Sequence, residues 1–217
     1  MKHPGKNLLR SFALPSLTAA SLLLGLCPAH ADYPSTILAD NPSAYYRFEE
    51  LPGASTAVDS SVNGNNATYN YNNEDDSPLL GVAGLDTNCL SFNGGGWSGD
   101  FGYVEIPASS LITPVAADGT HSGPFSTELW LKVPSQPPTW EVPLELAQYP
   151  NGWNFYVSGA DAGNGAASYF YLDMRPSLFQ AALVQVQFHQ WTHLVVTFDG
   201  TNATIYVNGA PYGPFAA

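Results

Sequence analysis

Apolar and polar residues alternate in short runs over almost the whole of this 217-residue chain. His193-Leu194-Val195-Val196-Thr197-Phe198 runs into Asp199-Gly200-Thr201-Asn202, and Ala203-Thr204-Ile205-Tyr206-Val207 returns to stop at Asn208-Gly209. A strand sends successive side chains to opposite faces, so a run of this kind buries one face and wets the other. Asp-Gly and Asn-Gly tolerate the positive φ that tight turns need. The pattern predicts an antiparallel hairpin.

Similar runs are expected to be strands at 44–48, 88–92, 103–106, 125–133, 143–147, 154–157 and 169–174. Twenty glycines and eighteen prolines punctuate the chain too often for long helices. The nearest helical candidate, 177–187, contains Val184-Gln185-Val186-Gln187-Phe188, whose period of two reads as a strand. The polar stretch 69–77 is expected to be an exposed loop. Together these runs predict an all-β fold, a two-sheet antiparallel jelly-roll sandwich.

The first residues point to export. Lys2, Lys6 and Arg10 precede an apolar stretch, and Ala29-His30-Ala31 offers a small-x-small cleavage site. The expected organisation is a secretory leader over 1–31 and one domain over 32–217. The destination is then outside the cytoplasm: secreted, periplasmic or on the cell surface. The apolar stretch is short and interrupted by Pro15 and Pro28, so no membrane span is expected in the mature chain. Without the leader, Arg47, Lys132 and Arg175 face all eighteen acidic residues. Such a surface repels phosphate backbones, which excludes nucleic acid as a partner. Cys89 then stands alone in an apolar setting and reads as a core residue.

Four stretches together are similar to the laminin-G-like, concanavalin A-like jelly-roll family. They are Tyr45-Tyr46-Arg47-Phe48-Glu49-Glu50 with Asp59-Ser60-Ser61-Val62-Asn63-Gly64-Asn65-Asn66-Ala67; Cys89-Leu90-Ser91-Phe92-Asn93-Gly94 with Tyr103-Val104-Glu105-Ile106-Pro107; Pro124 to Lys132; and Trp191 to Gly200 with Ile205-Tyr206-Val207-Asn208-Gly209. The resemblance implies an extracellular recognition or adhesion module. It also implies further strands after the Tyr-Val-Asn-Gly turn, so the domain is expected to be incomplete at its C-terminal end. An incomplete sheet would expose a strand edge able to pair with another chain.

Four groups of residues could carry chemistry. Asp59 and Asn63, in a loop of carboxylate, hydroxyl and amide oxygens, are candidate ligands for a structural Ca²⁺, which the family often holds near such a loop. The competing and favoured reading is a turn that hydrogen-bonds only itself. Trp97, Trp140, Tyr149 and Trp153 lie in or beside Gly-, Pro- and Asn-rich segments. Aromatic faces there suit stacking on sugar rings, with covering the ends of the core as the alternative. Glu141 and Glu145, four apart on a strand, would share a face and could flank a glycosidic bond. The family's hydrolases carry Asp between such residues, where this chain has Pro143, so no catalytic residue is assigned. His189 and His193 sit about 13 Å apart along a strand, too far to share a metal.

The expected function is non-catalytic carbohydrate recognition. The alternatives are a glycoside hydrolase of the same fold, or a purely structural domain of a larger surface protein.

Overall fold

A computed structural model describes residues 32–72, 77–92, 102–108, 123–146, 152–175 and 178–216. The expected leader lies outside them.

Two four-stranded antiparallel sheets face each other. One has the order β10-β9-β8-β7, built from β7 (Glu141–Leu146), β8 (Gly152–Val157), β9 (Tyr169–Arg175) and β10 (Leu178–Gln185). The other has the order β13-β12-β11-β6, built from β6 (Phe125–Lys132), β11 (Trp191–Phe198), β12 (Asn202–Val207) and β13 (Ala210–Ala216). Trp153, Phe155, Phe170 and Leu172 meet Leu194, Val196, Ile205 and Phe198 between them. Every second residue of β11 and of β12 is buried, as the alternation predicts. The hairpin β11–β12 forms in unbroken register from Leu194↔Val207 to Phe198↔Ala203. The fold is the expected all-β antiparallel sandwich.

The N-terminal strands build smaller sheets. β1 (Thr56–Ala57), β2 (Ala67–Tyr71) and β5 (Gly102–Glu105) form one, with β2 central; β3 (Leu79–Ala83) and β4 (Asn88–Ser91) form a hairpin. Their core is small: Ala57, Ala67 and Tyr69, flanked by Tyr46, Phe48, Leu80, Leu90, Val104 and Ile106.

Three local expectations need correction. Residues 44–48 make one isolated bridge, Tyr46↔Asp59, rather than a strand, and Phe48 has a positive φ of 56° that breaks the extended course. Part of the expected loop 69–77 is strand, because Ala67 and Tyr69 alternate inward while Thr68 stays exposed. A short helix, α1 (Tyr33–Ala39), was not foreseen. Asp32 caps it by accepting the Ser35 N–H at 3.0 Å, and Pro34 sits in the first turn. Tyr33 ties α1 to the sandwich: its hydroxyl donates to Glu128 Oε1 at 2.8 Å and accepts from Trp130 Nε1 at 3.0 Å.

β13 adds an outer strand beyond the Asn208-Gly209 turn. It carries Pro211 and Pro214, which cannot donate to a further strand. Among the described residues no helix is long and apolar enough to cross a membrane.

Candidate functional site

In β8, Trp153, Phe155 and Val157 point into the core, so Asn154 and Tyr156 point to the opposite face. In β9, Phe170 and Leu172 point inward, which sends Tyr171 and Asp173 outward. Strand pairing sets these residues side by side: Tyr156 opposite Tyr171, and Asn154 opposite Asp173. Glu145 of β7 is opposite Asn154 on its other side. The outward face of this sheet therefore carries an aromatic pair and, about 7 Å along the strands, a row of Glu145, Asn154 and Asp173.

Trp140 caps the aromatic pair. Its ring stands edge-on to Tyr171 at 4.7 Å and to Tyr156 at 6.0 Å between centroids. The segment carrying it is tied down by three bonds. Gln136 Nε2 donates to the carbonyls of Gly165 (2.8 Å) and Ala167 (3.1 Å), and the Ala160 N–H donates to the Pro137 carbonyl (2.9 Å). A Cβ on Gly159 would collide with the Thr139 backbone, so only glycine lets the two loops approach this closely. Asn164 Nδ2 reaches the Ser158 and Tyr171 hydroxyls at 3.4 and 3.5 Å. Trp140 and Tyr156 stay half-buried, leaving part of each ring accessible.

Asn154 and Asp173 are each 1 % exposed. Both amide atoms of Asn154 are buried without a hydrogen-bond partner among the described residues. A buried polar group left unpaired costs about 1–3 kcal/mol.

Of the aromatics singled out from sequence, Trp140 has a place on this face and Trp153 does not. Trp153 is 0 % exposed and stacks on Phe125 at 5.3 Å, so it is core and not a loop platform. The error is one of strand boundary: β8 starts at Gly152, which brings Trp153 into register with Phe155 and Val157. Trp97 and Tyr149 lie outside the described residues. Asn154, Tyr156 and Tyr171 escaped the sequence reading, although the alternation that buries Phe155 already assigns their neighbours to the other face.

The expected pairing of Glu141 with Glu145 is also overturned. Between Glu141↔Val157 and Leu144↔Phe155 the register shifts, so three steps along β7 match two along β8. This bulge between Glu141 and Leu144 flips the parity. Glu141 is opposite core-facing Val157 and Glu145 is opposite outward-facing Asn154, so the two carboxylates end on opposite faces. Burial raises the Glu141 pKa above the ordinary carboxylate value.

The Asp59 loop is closed on itself. Oδ1 accepts the N–H groups of Tyr45 and Ser61, both at 2.8 Å; Oδ2 accepts Ser61 Oγ–H and the Asn65 N–H, also at 2.8 Å. Asn63 Nδ2 donates to the carbonyls of Pro42 (3.2 Å) and Ser43 (3.1 Å), Asn65 Nδ2 donates to Ser43 (2.9 Å), and the Tyr46 hydroxyl donates to the Asn65 carbonyl. A carboxylate has about four acceptor positions, and donors fill them all. Asp59 in this arrangement does not fit a Ca²⁺ ion, which needs its oxygens free, and the Asn63 amide is held through its nitrogen. Burial opposes ionisation of Asp59, but the bonds from Tyr45, Ser61 and Asn65 outweigh it and hold its pKa below the ordinary value. Among the described residues no cluster of three or more His, Cys, Asp or Glu could hold a metal.

His193 stacks on Trp130 at 4.6 Å and lies on the other sheet, away from this face. Cys89 is half-buried, and desolvation raises its thiol pKa, so it is a poor nucleophile.

A family model of the concanavalin A-like lectin/glucanases superfamily, of the laminin-G type, matches residues 98–216, more than half of the chain. The chain belongs to this superfamily. The match spans both four-stranded sheets of the sandwich and therefore the face described above. No curated protein and no solved structure matches the chain. Superfamily and architecture together make it a lectin-like binding module in build.

Proposed function

We propose that this chain is an exported module that binds carbohydrate without cleaving it, on the outward face of the β7–β10 sheet. The observation that carries the reading is Trp140, half-exposed and braced by Tyr156 and Tyr171 beside a row of amide and carboxylate side chains. Sugar rings offer C–H faces to an aromatic surface and hydroxyls to neighbouring polar groups. The separation of Glu141 from Glu145 removes the carboxyl pair that the sequence offered for hydrolysis. The basic-apolar-small order of residues 1–31 supports export.

The test is binding of the full chain to a glycan array, followed by titration of each ligand found. Trp140→Ala is expected to weaken binding about tenfold, the loss of one aromatic contact. Trp191→Ala, on the outward face of the opposite sheet, is expected to leave affinity unchanged. A blank array, or a Trp140→Ala chain that binds as well as the parent, would refute the proposal.

A further inference from the structure

We propose that the Asn164-Gly165 pair is a site of spontaneous modification: Asn164 closes onto the Gly165 nitrogen, and the isoaspartyl linkage that follows loosens the brace around Trp140.

The chain has Asn-Gly pairs starting at 63, 93, 151, 164 and 208. Those at 63, 164 and 208 lie among the described residues. An asparagine ahead of glycine cyclises readily because glycine has no side chain to shield its nitrogen. The rate then depends on how freely the amide turns. Asn208 Oδ1 accepts the His193 N–H at 2.9 Å, in the turn between β12 and β13. Asn63 Nδ2 donates to the Pro42 and Ser43 carbonyls at 3.2 and 3.1 Å. Asn164 is held least, since its contacts with the Ser158 and Tyr171 hydroxyls are 3.4 and 3.5 Å, at the long limit for a hydrogen bond. Gly165 is exposed, with open space where a side chain would stand. Holding an amide by one ordinary hydrogen bond slows such a reaction roughly tenfold.

The Gly165 nitrogen gives its proton to a solvent base and bonds to Asn164 Cγ. The Cγ–Nδ2 bond breaks, and ammonia leaves with a proton from solvent. Water then opens the cyclic imide. Opening at Cγ leaves an aspartate. Opening at the Asn164 main-chain carbonyl leaves an isoaspartate, whose backbone runs through the side chain and is one methylene longer.

The two products act differently on the loop. An aspartate keeps the backbone course, and the Ser158 and Tyr171 hydroxyls can turn to donate to it. The isoaspartyl link lengthens the chain immediately before Gly165. The carbonyls of Gly165 and Ala167 hold Gln136 Nε2 at 2.8 and 3.1 Å, and Gln136 anchors the segment that carries Trp140. Displacing those carbonyls frees 136–140.

The experiment ages the full chain in mildly alkaline buffer. Fragmentation mass spectrometry reads amide loss and isoaspartate at each Asn-Gly pair separately, and amide exchange in 136–140 is read on the same samples. Asn164 is expected to convert roughly tenfold faster than Asn63 or Asn208, with exchange in 136–140 rising in step with its isoaspartyl fraction. Asn164→Gln keeps an amide but cyclises far more slowly, and is expected to hold 136–140 protected through the same incubation. Fresh Asn164→Asp is expected to stay protected as well. Conversion at Asn63 or Asn208 as fast as at Asn164 overturns the choice of site. Exchange in 136–140 that rises equally in aged Asn164→Gln, or stays flat in the isoaspartyl parent, overturns the loosening. Mass and exchange are the readouts, so the outcome is independent of what the face binds.

Discussion

Between the two four-stranded sheets, Trp153, Phe155, Phe170, Leu172, Leu194 and Ile205 are sealed from solvent by one another. Among the described residues of the N-terminal sheets, the buried apolar side chains are Ala57, Ala67 and Tyr69, and the most heavily bonded group nearby is a carboxylate, Asp59. The first region coheres by removing apolar surface from water, which is non-directional and grows with area. The second coheres by directed bonds converging on one charge, each worth more than a neutral bond but individually breakable. The proposed binding face lies on the first of these regions. Asn154 and Asp173 are carried on strands whose alternate residues are locked in the core, the condition a preorganised site needs.

The comparison can be broken in four ways. Trp153→Ala is expected to cost about 3–5 kcal/mol and to destabilise the whole sandwich in denaturant titration; a loss below 1 kcal/mol would deny it a core role. Asp59→Asn is expected to cost about 2 kcal/mol and to act on 42–46 and 59–66, read by amide exchange, while 191–207 stays protected. Tyr33→Phe removes the bonds to Glu128 and Trp130 and is expected to cost about 1 kcal/mol, freeing α1 with the sheets intact. Calcium addition or chelation is expected to leave the Tm unchanged in the parent and in Asp59→Asn alike. A calcium-dependent rise lost in Asp59→Asn would show that the loop opens to take the ion.

Acid should separate the regions as well. The folded pKa of Asp59 is lowered, so its contribution is complete above the unfolded carboxylate value of about 3.9 and is lost as pH falls through the folded value. Exchange in 59–66 should therefore rise before exchange in β11 and β12 as pH falls below 4. Asp59→Asn should remove that early step.

Much of the sandwich is legible in the sequence because period-two alternation and turn chemistry agree there. Leu194, Val196 and Phe198 face inward, Asp199-Gly200 turns, and Ala203, Ile205 and Val207 return. Legibility fails where one residue changes parity. Trp153 sits beside Asn151-Gly152 and reads as loop, yet one more residue of strand puts it in the core. Glu141 and Glu145 share a face in an ideal strand, yet the bulge between Glu141 and Leu144 parts them. α1 was missed because seven residues are too few for periodicity, although Asp32 and Pro34 carry the start signal. The Asp59 turn was the favoured reading of its loop, but its four donors come from Tyr45, Ser61 and Asn65, and the Tyr45 contact is long-range and invisible to local pattern.

The central claim is that ligand settles on the outward face of the sheet held by the apolar core. Amide hydrogen exchange of the full chain, with and without a saturating glycan found on the array, tests it directly. The account predicts added protection in β8, β9 and the 136–140 segment, with none in 59–66. Protection confined to the Asp59 loop or the N-terminal sheets would contradict it.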